Sequence, residues 1–132
     1  MSVVGTYTVG LGPTGLCFDG QYVWVANSSA PSISKILAST GSVIGTYALT
    51  GGFQPWNLCF DGVDIWVTCS DVGMSTIKKI TQSTGAVAGT YTIGGRPTGL
   101  CFDGTNLWVT CQSTNQVMRV SLGGSVLNTY IP

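Results

Sequence analysis

The sequence predicts an all-β protein, and three observations carry that prediction. Charged residues make up only 8 % of the chain and Glu is absent, so long exposed helices have little to draw on. Val, Ile, Thr, Tyr and Trp are plentiful, and they suit a pleated, half-buried surface. The third observation is an internal repeat of 42 residues, which decides the architecture.

The repeat is read from three segments. Gly15-Leu16-Cys17-Phe18-Asp19-Gly20 is followed by Tyr22-Val23-Trp24-Val25. Asn57-Leu58-Cys59-Phe60-Asp61-Gly62 is followed by Asp64-Ile65-Trp66-Val67. Gly99-Leu100-Cys101-Phe102-Asp103-Gly104 is followed by Asn106-Leu107-Trp108-Val109. Between them lie Ser39-Thr40-Gly41 and Ser83-Thr84-Gly85, each leading to a Gly-Thr-Tyr at 45–47 and 89–91. Another Gly-Thr-Tyr stands at 5–7, and Asn-Thr-Tyr at 128–130.

Each unit reads as four short strands. In the first unit they fall near Thr14–Phe18, Tyr22–Asn27, Ile33–Leu37 and Val43–Leu49. Asp19-Gly20 is expected to be a two-residue hairpin turn with both residues at positive φ. Alternation sets Leu16 and Phe18 against Cys17, and Val23 and Val25 against Trp24. Both faces of each sheet are therefore apolar, as in a sheet sandwiched between two others. Four antiparallel strands per roughly 40 residues is the blade pattern of a β-propeller. The small Cys suits the crowded axis and the bulky Trp the wider part of the blade.

These residues also carry a family resemblance. The run Pro97-Thr98-Gly99-Leu100-Cys101-Phe102-Asp103-Gly104, continued by Leu107-Trp108-Val109-Thr110, resembles the blade repeats of NHL-type, YVTN-type and streptogramin-lyase-like propellers. The likeness spans the chain and implies the fold. For the lyases it further implies a histidine general base with acidic metal-binding neighbours. The chain has no His and no Glu, so that mechanism does not carry over.

Propellers usually have four to eight blades, and three cannot close. The sequence therefore predicts a half-propeller over 1–132, with blades at about 14–49, 56–93 and 98–131. Two open faces lined by Leu, Phe, Val and Trp remain. Covering one is worth on the order of 10 kcal/mol gross, and patches of that size seldom stay exposed on monomers. A twofold homodimer completes a six-bladed ring with the commonest symmetry. Val3–Val9 and Ser125–Ile131 both read as outer strands, one too many for three blades. The surplus strand at 2–9 is expected to cross to the partner as a latch, with a fifth strand or a frayed end as alternatives.

Composition narrows the function classes. Net charge is zero, so no electrostatic footprint points to nucleic acid or an anionic membrane. No apolar run of about 18 residues predicts a membrane span. No secretory signal is visible at the N-terminus, and five cysteines without a Cys-x-x-Cys pair read as reduced, buried, small apolar residues. The expected location is cytoplasmic. No metal, cofactor or catalytic residue is predicted, and without His neither a Ser-His-Asp nor a Cys-His arrangement is available.

Residues recurring in every unit are read as structural. Asp19, Asp61 and Asp103 serve turns rather than a cation ring, and Cys17, Cys59 and Cys101 serve packing rather than a metal ring. Tyr7, Tyr47, Tyr91 and Tyr130 pack on the blade rim. Cys69 and Cys111 end the second strands and are expected to be the more exposed pair, with nothing nearby to depress their pKa. Departures from the repeat are the candidate site. Trp56 stands where the other units have Thr14 and Thr98. With Phe53, Arg96, Asp71 and Met74 it is the candidate for a ligand surface on loops at one end of the ring; the alternative is that Trp56 fills a gap beside the slightly longer second unit. The predicted function is a non-enzymatic binding or interaction module for a small molecule, glycan or peptide. The alternatives are a purely structural propeller, or an enzyme of unfamiliar chemistry related to propeller lyases.

Overall fold

The computed structural model describes residues 2–49, 54–71 and 74–131, with the side chains of Asp71 and Met74 outside the description. It contains twelve strands in three antiparallel sheets, each ordered as in the chain. The first sheet holds β1 (Pro13–Phe18), β2 (Tyr22–Asn27), β3 (Ser32–Leu37) and β4 (Val43–Ala48). The second holds β5 (Gln54–Phe60), β6 (Ile65–Asp71), β7 (Met74–Ile80) and β8 (Val87–Thr92). The third holds β9 (Pro97–Phe102), β10 (Leu107–Cys111), β11 (Gln116–Val120) and β12 (Val126–Tyr130). Among the described residues no helix is long and apolar enough to cross a membrane.

The sheets stack through two junctions that share one design. Cys17 and Trp24 of the first sheet pack on Leu58, Phe60, Ile65 and Val67 of the second. Cys59 and Trp66 of the second pack on Leu100, Phe102, Leu107 and Val109 of the third. One face of each blade thus presents Cys and Trp, and the opposite face presents Leu, Phe and aliphatic residues. The inner strands β1, β5 and β9 lie side by side at the narrow part of this wedge.

A third junction of the same kind is only half built at each end. On the first sheet Leu16 and Phe18, the counterparts of Leu58 and Phe60, are 66 % and 57 % exposed. On the third sheet Cys101 is exposed and Trp108 half-buried, whereas Trp24 and Trp66 are fully buried. A cleft of about 420 Å³ opens there, lined by Asn57, Leu100, Cys101, Trp108, Thr110 and Val117.

In the single chain residues 2–9 pair with no sheet. One local expectation needs correction: the Asp-Gly turns differ from a hairpin with both residues at positive φ. Only Gly20, Gly62 and Gly104 turn left-handed, with φ of 101°, 96° and 100°. Asp stands one place earlier, where its side chain caps the turn: Asp19 Oδ1 accepts the backbone N–H groups of Gln21 and Tyr22 at 2.9 and 2.7 Å. A left-handed Asp is unnecessary once its carboxylate supplies that bond.

Candidate functional site

The loops entering β1 and β9 lie against the loops after β2 and β10, which places both sets at one end. Ser28 N–H donates to the Gly12 carbonyl at 2.9 Å, and Gln112 N–H to the Arg96 carbonyl at 3.1 Å. At this end the register of each inner strand slips. The residue left unpaired is Thr14 in β1 and Trp56 in β5, with a like slip between Pro97 and Leu100 in β9. Such bulges re-aim a side chain and are common beside binding sites. Trp56 is half-buried, and its backbone carbonyl accepts the Thr14 hydroxyl at 2.9 Å. Its indole Nε1 is buried with no acceptor among the described residues.

The other candidates are placed less closely. Arg96 is exposed in the neighbouring loop with φ of 54°, and its backbone N–H donates to Ser75 Oγ at 3.1 Å. Among the described residues no hydrogen bond or ring contact joins it to Trp56. Asp71 and Met74 face each other in the β6–β7 ladder, and Phe53 lies outside the described residues. Trp56 and Arg96 therefore share an end of the molecule, while Phe53 and the side chains of Asp71 and Met74 lie outside the described residues.

The recurring aspartates do more than shape turns. The second carboxylate oxygen of each accepts the indole N–H of its own blade's Trp: Asp19–Trp24 at 2.8 Å, Asp61–Trp66 at 2.8 Å and Asp103–Trp108 at 2.7 Å. The five-residue spacing was visible in the sequence, but its meaning needed the strand pairing that brings Trp beside the turn. Asp19 also accepts from Gln82 Nε2 across the first junction at 2.9 Å. Burial pushes its carboxyl up, but these donors and the turn backbone outweigh it and hold the group below the ordinary value.

At Asp103 the Asn106 backbone, the Trp108 indole and the Thr105 backbone lower the pKa from 3.8 to about 2. A depressed carboxylate adds stability above its unfolded pKa and loses it as pH falls through the folded one, here between 3.8 and about 2. Following the Asp103 carboxyl by NMR in acid should give a midpoint near 2, and Trp108→Phe, which removes the indole donor, should move that midpoint upward. A wild-type midpoint near 3.8 would show that the turn does not hold the carboxylate.

The cysteines reverse one expectation. Cys69 and Cys111, expected to be the more exposed pair, are 0 % and 1 % exposed, while Cys101 is exposed. Both face inward onto the neighbouring sheet. Burial raises Cys69 to about 12, against the opposing pull of Lys78, and raises Cys111 as well. Cys17 is pushed to about 12 by burial and by the nearby Asp19. Among the described residues no three His, Cys, Asp or Glu side chains gather to hold a metal ion.

Comparison with known proteins places the fold. No family model and no curated protein matches the chain. Among solved structures it is similar to hydrazine synthase of Kuenenia stuttgartiensis, with TM-score 0.81 and 20 % identity, covering 100 % of this chain and 40 % of that one. It is similar to glutaminyl cyclase of Myxococcus xanthus, with TM-score 0.77 and 13 % identity over 95 % and 53 % of the two chains. A catalytically inactive virginiamycin B lyase from Staphylococcus aureus with quinupristin aligns with TM-score 0.72 and 24 % identity, over 92 % and 41 %. The chain thus spans about half, or less, of the length of these proteins. At the level of fold the chain is three blades of a β-propeller, resembling the NHL- and YVTN-type propellers.

Proposed function

We propose that two copies of this chain close a six-bladed ring that works as a non-enzymatic binding module, its ligand held at the loop-bearing end near Trp56 and Arg96. The observation that carries the ring is the complementarity of the two open flanks. The third sheet ends on Cys101 and Trp108, the residues that meet Leu, Phe and aliphatic partners at both internal junctions. The first sheet ends on Leu16, Phe18 and Val23, the counterparts of Leu58, Phe60 and Ile65. A second copy offers each flank its match, and a twofold axis forms the seam twice.

Polar groups agree with this. Lys35, at 5 % exposure, crosses the first junction to the Gln82 carbonyl at 2.9 Å. Arg119 holds the same place on the third sheet, and its Nε is buried with no acceptor among the described residues. The carbonyl equivalent to Gln82 is that of Ala38, which a second copy would bring to it.

The binding role rests on Trp56 at a bulge of the loop-bearing end, its buried indole N–H without an acceptor among the described residues, and on the lack of His or Glu for acid–base work. Aromatic and Arg anchors at the mouth of a rigid ring suit a glycan, a peptide or a small polar molecule. A panel of glycans, short peptides and metabolites is expected to contain one that quenches Trp fluorescence in the wild type and not in Trp56→Ala, with the assembly unchanged. Quenching that survives Trp56→Ala would move the site elsewhere. A panel giving neither quenching nor a thermal shift would favour a purely structural ring.

A further inference from the structure

Each outer strand carries a tyrosine on the tryptophan of its own blade: Tyr47 on Trp24 with ring centroids 6.1 Å apart, Tyr91 on Trp66 at 5.8 Å and Tyr130 on Trp108 at 5.6 Å. The rings of Tyr47 and Tyr91 also close on a glycine in the outer turn of the next blade. A Cβ on Gly85 would lie 2.5 Å from the Tyr47 ring, and one on Gly124 would collide with Tyr91. These glycines are seats, and a blade junction is complete when the preceding blade's tyrosine fills one.

Gly41 is the corresponding seat on the first blade, and Tyr7 of the same chain occupies it, so closely that a Cβ there would collide with the ring. Residues 2–9 therefore lie beside the first blade as β4 lies beside the second and β8 beside the third. They hold the outer-strand position of a blade that the single chain does not supply at that place. They form no strand, so their backbone has no ladder partner among the described residues. In a ring, Tyr130 of β12 would need this seat on the other copy. Two tyrosines compete for one glycine.

The sequence difference between the two strands favours Tyr7. Gly45 and Gly89 stand two residues before their tyrosines, and a Cβ on either would meet the phenol oxygen at 2.6 Å. Gly5 keeps that small residue, and its Cβ would lie closer still. β12 has Asn128 instead, whose side-chain oxygen accepts from Arg119 Nη2, and every residue of β12 is exposed.

We infer that residues 3–9 of each copy supply the outer strand of the other copy's third blade in place of β12. The inference rests on the six-bladed reading and adds the identity of the strand that stitches each seam. The register follows from the other blades, where Ile33 faces Tyr47 and Ile77 faces Tyr91. Tyr7 then faces Val117 and stacks on Trp108 of the other copy, and Thr6 faces Met118. Withdrawal of Asn128 releases Arg119 to reach across the seam.

Sedimentation of two full-length variants tests this. Tyr7→Ala should weaken the dimer about a hundredfold, because two seams each lose an anchor worth roughly tenfold. Tyr130→Ala should change it by less than about threefold, within ordinary surface effects. Mixing a Thr6→Cys chain with a Met118→Cys chain and oxidising should give a disulfide joining those two positions between unlike chains. A dimer weakened at least as much by Tyr130→Ala as by Tyr7→Ala, without that disulfide, overturns the exchange and leaves the ring standing. A wild-type protein that never dimerises overturns both.

Discussion

Replacing Phe18 with Asp is expected to leave the single chain folded and to abolish association of two chains. Phe18 is 57 % exposed and packs on neither internal junction. In a closed ring it would sit as Phe60 sits at the first junction and Phe102 at the second. The substitution then buries an unpaired carboxylate twice per ring, once at each seam. A buried charge without a partner costs about 3–5 kcal/mol, so two of them weaken association by at least roughly ten-thousandfold. Phe60→Asp makes the same change inside the chain and should unfold it instead. Circular dichroism and sedimentation on the two variants separate the cases. A Phe18→Asp protein that still dimerises with wild-type affinity would contradict the proposed seam.

Trp66→Ala carries the largest expected loss of fold stability. Trp66 is fully buried between the second and third sheets and donates to Asp61, itself 9 % exposed. Truncating a buried Trp costs about 3–5 kcal/mol, and the Asp61 oxygen it leaves behind loses its donor. Against a typical total of about 5–15 kcal/mol this removes much of the stability. The melting temperature should fall by about 10–20 °C. Trp108→Ala removes the same residue from the open flank, where it is only half-buried. In the Phe18→Asp background, where no ring forms, it should cost less than half as much. Thermal melts of the two variants in that background make the comparison. Equal losses would mean that the third sheet is covered in the single chain.

Much of this was legible in the sequence because the repeat reports on itself three times. The four-strand unit, the strand limits within a residue or two, and the opposition of Cys and Trp to Leu and Phe all follow from alternation and turn residues. The Asp–Trp bond, the glycine seats and the placement of Tyr7 were not legible. Each depends on side chains from different turns or blades meeting at a few ångströms, and periodicity says nothing of that. The cysteine exposures were misjudged for a related reason. Cys69 looked terminal along its strand, but the adjoining blade covers it, while Cys101 keeps the repeat's buried position on a flank with no neighbour. The candidate site was legible only as a departure from the repeat. Trp56 stood out because Thr14 and Thr98 hold its place elsewhere, and the bulge that re-aims it became visible only in the strand register.

Sedimentation equilibrium of the wild-type chain is the most direct measurement. A single species of twice the 13.7 kDa chain mass, dissociating only on strong dilution, is the expected result. A compact, cooperatively folded species of 13.7 kDa across the accessible concentration range would contradict the ring.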